Sequence, residues 1–346
     1  METFRFKGLQ SYDSIDYAAK LKEYQDFSGE ITFYFPSQVT YEPFGMLMTS
    51  TAIRQFAKDN PNAKKCVHIS KQGDACKYAG HMGFFKAISE TIPYGKRPGE
   101  ANGSERYIPI TPINLKTIRQ RALREGVAIQ QQIQTTAQNI SRRISLGSKP
   151  LEQTLTYVLR EIIRNSEEHS NADTVWLCAQ HWPYYNLVEI GMLDEGIGIK
   201  KSLKTNKYYA SSIKTDEDAL KLSLLPGVTE AYKRSIYDDG MWANSGYGLY
   251  IAKEICTHMG IGGMFLLASG ESCIGIGSKN YSFHEINEKT FINGTAICMR
   301  FKTDSVDSFE DVRSRIILDG QSEAAKVKRA IKKASYSSGG LIDLLK

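Results

Sequence analysis

No apolar run among the 346 residues reaches the ~18 that a membrane-crossing helix requires, and the opening METFRFKGLQSYDS lacks the apolar core of a secretory leader. A membrane partner is therefore not expected, and the expected setting is the cytoplasm. Cysteine is sparse and scattered. Cys66, Cys76, Cys178, Cys256, Cys273 and Cys298 form no CxxC pair and have no histidine cluster beside them, which argues against a disulfide framework or a zinc site and leaves buried reduced thiols. Acid is nearly missing from residues 112 to 150, where seven basic side chains (Lys116, Arg119, Arg121, Arg124, Arg142, Arg143, Lys149) face Glu125 alone. That surplus of six equals the net charge of the whole chain. Such a run is either a solvated face or a contact for nucleic acid or acidic protein, and the solvated face is the favoured reading.

What is present is an ordinary globular balance, 41% hydrophobic and 24% charged, with enough chain for about two domains. The alternating, aromatic GEITFYFPSQ (29–38) predicts a strand, and 43–58 a helix stopped by Asp59-Asn60-Pro61-Asn62. KKCVHIS (64–70) predicts a second strand and YAGHMGFFKAIS (78–89) a second helix. Strand and helix alternating at this spacing predict a small α/β layer over residues 1–110. Residues 93–111, rich in Pro, Gly and polar groups, predict a loop or hairpin at its edge. One long basic linker helix is expected within 111–150, over about 115–145, with Ile118, Ala122, Ile129, Ile133, Ile140 and Ile144 on one stripe. It either pairs with its copy in a homodimer or packs on the next domain.

The chemistry begins in LEQTLTYVLREIIRNSEEHS (151–170), where Leu155, Val158, Leu159, Ile162 and Ile163 bury one side of a helix. Glu161 and Asn165 are four apart and share a face. An amide oxygen can ligate Mg²⁺, a hard cation, while a carboxylate beside it orients or deprotonates a water in line with a terminal phosphate. Alone, ExxxN is also what a solvated face produces. Further on, a strand-like NLVEIGML (186–193) runs into Asp194-Glu195-Gly196-Ile197-Gly198. An acid at a strand end followed by Gly196 and Gly198 lets the backbone bend close to a flat ligand and offers an acceptor to an adenine amine. A plain β-turn would look the same. Residues 200–245 are polar and far longer than an ordinary loop, which predicts a lid. They end in Ser245-Gly246-Tyr247-Gly248-Leu249 at the entry of a helix, where free N–H groups suit phosphate. Gly294-Thr295 then opens a strand, TAICMRF, whose threonine hydroxyl can reach a base. The tail, 306–346, carries a helix with Lys326, Lys328, Arg329, Lys332 and Lys333, then Ser335 to Gly340 and an apolar LIDLL. It suits a solvated helix or a partner-docking peptide.

In this order the four segments resemble the GHKL ATP-binding family, which includes gyrase-type topoisomerases, the large heat-shock chaperone, mismatch-repair ATPases and histidine kinases. The match covers about 151–305 and implies a two-layer α/β sandwich of the Bergerat type. The resemblance implies Glu161 as general base, Asn165 as the Mg²⁺ ligand and Asp194 as the adenine acceptor. It also implies Gly196 and Gly198 as the first glycine box, Ser245 to Leu249 as the lid hinge at the phosphates, and Thr295 beside the base. Residues 25–110 resemble, by pattern, the STAS-like domains of bacterial regulators. ATP and Mg²⁺ are thus the expected ligands, and an ATP-driven switch acting on a protein partner the expected role. A histidine kinase needs an acceptor histidine on the helix upstream, and 112–150 contains none. Transfer of phosphate to a partner stays as the second reading, and a non-hydrolysing nucleotide-gated module as the third.

Overall fold

The computed structural model describes residues 1–71, 73–230, 245–258, 263–278, 282, 284–303 and 309–335. The chain starts β1 (Glu2–Arg5), α1 (Ser11–Lys22), β2 (Glu30–Phe35), α2 (Pro43–Asp59) and β3 (Lys64–Ile69). These strands form a parallel sheet in the order β1-β2-β3, as expected where each helix is the crossover between neighbouring strands. β1 and α1 carried no expectation from the sequence. The helix expected over 78–89 is instead two, α3 (Asp74–His81) and α4 (Phe84–Ile88), because Gly83 turns the chain at φ 88°.

A second, antiparallel sheet has the order β4-β5-β6-β8-β7. It is built from β4 (Tyr107–Asn114), β5 (Thr174–Trp182), β6 (Leu187–Asp194), β7 (Met264–Gly277) and β8 (Glu285–Lys302). Pro109 and Pro112 sit in β4, which is tolerable because β4 is an edge strand. The helices α5 (Leu115–Glu125), α6 (Ile129–Ile144) and α7 (Lys149–His169) lie between β4 and β5 in sequence. The single helix expected over 115–145 is therefore two, separated where Gly126 takes φ 65°. Ile133, Ala137 and Ile144 of α6 are buried in the same core as α7, so this stripe packs within the chain. Of the seven basic residues of 112–150, Lys116, Arg119, Arg142 and Lys149 are paired with Asp173, Glu167 and Glu152, which favours the solvated-face reading over a nucleic-acid contact. The chain continues through α8 (Gly198–Lys204), α9 (Asp216–Ser223), α10 (Gly248–His258) and α11 (Phe309–Lys326).

The period-2 alternation of strands sends the antiparallel sheet into two cores. Phe265, Leu267, Ile297 and Met299 join α7 and α10 on one face. Their neighbours Met264, Leu266, Ala268, Ala296 and Cys298 join Phe6, Phe33, Phe44 and Leu47 on the other. α1 and α2 thus lie between the two sheets, which makes the order of layers sheet, helices, sheet, helices. Gly191 of β6 permits the close approach, since a Cβ there would fall 2.8 Å from the Cα of Phe44. Glu189 of β6 is fully buried at this seam. One of its oxygens accepts the Phe44 N–H at 3.1 Å, and Arg300 bridges it to Glu42. No helix among the described residues is long and apolar enough to cross a membrane.

Candidate functional site

Helix α7 is fixed at its start by Ser148, whose side chain accepts the Leu151 N–H, and its apolar side is buried on the sheet. Register and burial then set Glu161 and Asn165 one turn apart on a cleft of about 990 Å³. Across the cleft, β6 ends at Asp194, which pairs in register with Thr295 of β8. The two strand ends meet closely because residue 294 is glycine: at φ 117°, a Cβ would lie 2.0 Å from the Asp194 carbonyl oxygen.

Asp194 is held on both carboxylate oxygens, by the Ser166 hydroxyl at 2.9 Å and by the Gly196 N–H at 3.0 Å. Burial pushes its pKa up from the ordinary carboxylate value to about 6, against the opposing pull of these hydrogen bonds and of the Thr295 backbone. Gly198 begins α8 at φ 76°. Ser269 of β7 fastens this turn by accepting the Ile199 N–H at 3.0 Å and donating to the Gly294 carbonyl at 2.6 Å.

The third wall is the loop 245–248. Gly246 has φ 70°, and its carbonyl accepts the Gly227 N–H at 3.0 Å. The first bond of α10 runs from the Ile251 N–H to the Tyr247 carbonyl, so the amides of residues 248–250 are the open donors of that helix end. Gly248 lies directly on the glutamate, where a Cβ would sit 2.6 Å from Glu161 Oε2. The other oxygen, Oε1, takes hydrogen bonds from Arg160 Nε at 3.0 Å and from its terminal nitrogen at 2.6 Å. Tyr247 is fully buried, donates to the Ile331 carbonyl at 3.1 Å and has its pKa pushed up to about 12 by burial.

Of the residues expected at the site, Glu161, Asn165, Asp194, Gly198, Ser245, Gly246, Tyr247, Gly248, Leu249 and Thr295 all line this one cleft. Gly196 does not line it. It turns the chain against the end of α7, with a Cβ position 2.2 Å from the Ser170 carbonyl oxygen, and serves the cleft through its N–H on Asp194. Ile162, Met192, Ile199 and Ile297 give the cleft an apolar floor, suited to a flat ring with a few polar groups at its edge.

Several lining residues gave no signal in the sequence. Ser166, which lines the cleft, and Ser269, which only braces it from β7, belong to no spaced motif. At the cleft's edge, His169 Nδ1 lies 2.8 Å from Glu230 Oε1, and the Ser202 hydroxyl donates to Glu230 Oε2 at 2.6 Å. Burial raises the Glu230 pKa, but the bonds from His169 and Ser202 outweigh it and leave the carboxyl below its ordinary value. The part of the expected lid over 231–244 lies outside the described residues.

The tail departs from its expectation. α11 ends at Lys326, so Lys328, Arg329, Lys332 and Lys333 are not on a common solvated helix. Instead, residues 327–335 bond to the chain on both sides of residues 231–244. The Ile331 N–H donates to the Gly227 carbonyl at 2.8 Å, Tyr209 donates to the Arg329 carbonyl at 3.2 Å, and Ser245 donates to Ser335 at 3.3 Å. The segment 336–346, with LIDLL, lies outside the described residues.

No group of three or more His, Cys, Asp or Glu among the described residues is arranged to hold a metal ion. A magnesium ion needs fewer protein ligands, since it keeps its waters and takes substrate phosphate oxygens. Asn165, one turn from Glu161 and lining the same cleft as Gly248, fits that single-ligand role. Compared with models of known protein families and with curated proteins, the chain matches none.

Proposed function

We propose that the chain binds ATP in this cleft as a GHKL-type protein and hydrolyses it to switch the state of the lid and, through it, a protein partner. The observation that carries this reading is the contact of Gly248 with Glu161 Oε2. It sets a carboxylate against a phosphate-type helix entry, with Asp194 and Thr295 at the other end of one apolar cleft. On this reading 151–305, together with β4, α5 and α6 that share its sheet and core, is the two-layer GHKL unit, and the STAS-like β-α order of the N-terminal part packs on the back of its sheet.

Asp194 accepts the exocyclic amine of the base, with Thr295 beside it, and the apolar floor takes the ring. The open amides at 248–250 face the phosphates. Asn165 would hold a magnesium ion, which would supply neutralisation of phosphate charge. Glu161 takes a proton from water as its oxygen bonds to the terminal phosphorus. The bond from that phosphorus to the bridging oxygen then breaks, and its electron pair leaves with the diphosphate.

ATP labelled on its terminal phosphate tests the reading. Free labelled phosphate is expected, dependent on Mg²⁺. Glu161→Ala should lower the rate by about 10²-fold or more while ATP still binds, and Asn165→Ala should weaken Mg²⁺-dependent binding. Label retained on protein would make the chain a kinase. Wild-type turnover in Glu161→Ala would remove the general-base assignment.

A further inference from the structure

A second cavity, of about 630 Å³, lies among α6, α7 and α11, and Arg160 is in its wall. This places Arg160 between two cavities, because Glu161, which it grips with two hydrogen bonds, lines the first. The lining is cationic and rich in amides. Lys149, Arg160 and Arg313 are set there with Gln134 and Gln138. The carboxylate in the wall, Glu152, already takes Lys149 at 2.9 Å and Arg142 at 3.1 Å. Arg160 and Arg313 are both buried and gather around the Tyr157 ring, at 4.7 and 5.9 Å from its centroid. Two buried guanidinium groups on the wall of one cavity suit an anion with several acceptor oxygens, and phosphate matches their fork geometry.

We propose that this cavity binds a small phosphate dianion, free or as the end group of a phosphomonoester, and that Arg160 couples its occupancy to Glu161. A phosphate oxygen facing Arg160 competes with Glu161 Oε1 for the same N–H donors. Occupancy therefore loosens the hold on Oε1 of the glutamate, whose other oxygen already lies against Gly248 in the first cleft. Anion binding itself is independent of the ATP reading, whereas an effect on turnover rests on it.

The test is calorimetric titration of the full chain with inorganic phosphate and, separately, with glycerol phosphate, at constant ionic strength. Saturable binding of either is expected. Both binding means that the cavity reads the phosphate group alone, and one binding identifies the free ion or the ester as its source. Arg313→Lys keeps the charge but loses the fork, and should weaken binding by about tenfold. Lys149→Gln, at a side chain that is 77% exposed and so harmless to folding, should weaken it several-fold. Glu161→Gln replaces the charged competitor for Arg160 by a neutral, weaker acceptor and should tighten binding several-fold, whether or not the protein binds ATP. Absence of saturable binding overturns the proposal. So does binding that is lost in Asn165→Ala but kept in Lys149→Gln, which would place the anion in the first cleft. Unchanged affinity in Glu161→Gln overturns the coupling. If ATP is neither bound nor hydrolysed while these variants behave as expected, only the reading of the first cleft falls.

Discussion

At the scale of single residues, Asp194 shows how a site can oppose stability. Its pKa of about 6 in the fold, against 3.8 when unburied, means that between these values the folded chain holds a proton that the unfolded chain has lost. Unfolding free energy therefore falls as pH rises through this window, by about 3 kcal/mol in total. Asp194→Asn removes that cost and gives up the Ser166 bond, worth about 1 kcal/mol. The variant should be more stable than wild type at pH 7 by about 1–2 kcal/mol and no more stable near pH 4, as read by urea denaturation at the two pH values. If the cleft takes adenine, the same variant binds ATP at least about tenfold more weakly, and wild-type affinity rises between pH 5 and 7 as the carboxylate forms. A stability gain from Asp194→Asn that is larger at pH 4 than at pH 7 would contradict the assigned burial effect.

At the scale of elements, the segment after α11 ties together the chain on the two sides of residues 231–244. Ile331 donates to Gly227 before them and accepts from Tyr247 after them. Ile331→Pro deletes the first of these bonds, a loss of about 1–3 kcal/mol confined to these flanks. Hydrogen exchange should quicken at 227–230 and 245–248 while β6 stays protected; equal loss of protection in β6 would mean that the strap supports the whole fold. None of this could be read from the tail's composition, because its lysines and arginines look solvated and its anchors are backbone groups. The same divide runs through the rest of the chain. The stripe of α7 and the glycines at 246 and 248 were legible because periodicity and backbone freedom are local properties. β7 carries no local signal of a strand, and β8 shows one only over its last residues. Its outer part pairs in a hairpin arm that reaches α1, where the Thr290 hydroxyl donates to the Ile15 carbonyl at 3.1 Å. Ser166 and Ser269 act only through partners brought close by folding.

At the scale of the whole molecule, the question is what holds the parallel-sheet part to the antiparallel sheet. Apolar burial through α1 and α2 supplies most of it, but the seam also encloses two carboxylates with one guanidinium. Burial and the nearby Glu189 charge raise the Glu42 pKa, and Arg300 opposes them. The N–H groups of Ser11 and Phe44, at the starts of α1 and α2, add positive ends. Replacing Arg300 by Met keeps the volume and leaves both carboxylates without their cation, at a cost of about 3–5 kcal/mol at neutral pH. Because the raised Glu42 pKa favours the proton in the folded state, acidification relieves that cost. The deficit of Arg300→Met relative to wild type should therefore shrink as pH falls from 7 to 5 in denaturant titrations. A surface ion pair would give about 0–1 kcal/mol and little change with pH over this range, so a small, pH-independent deficit would show that the seam is held by apolar contact alone.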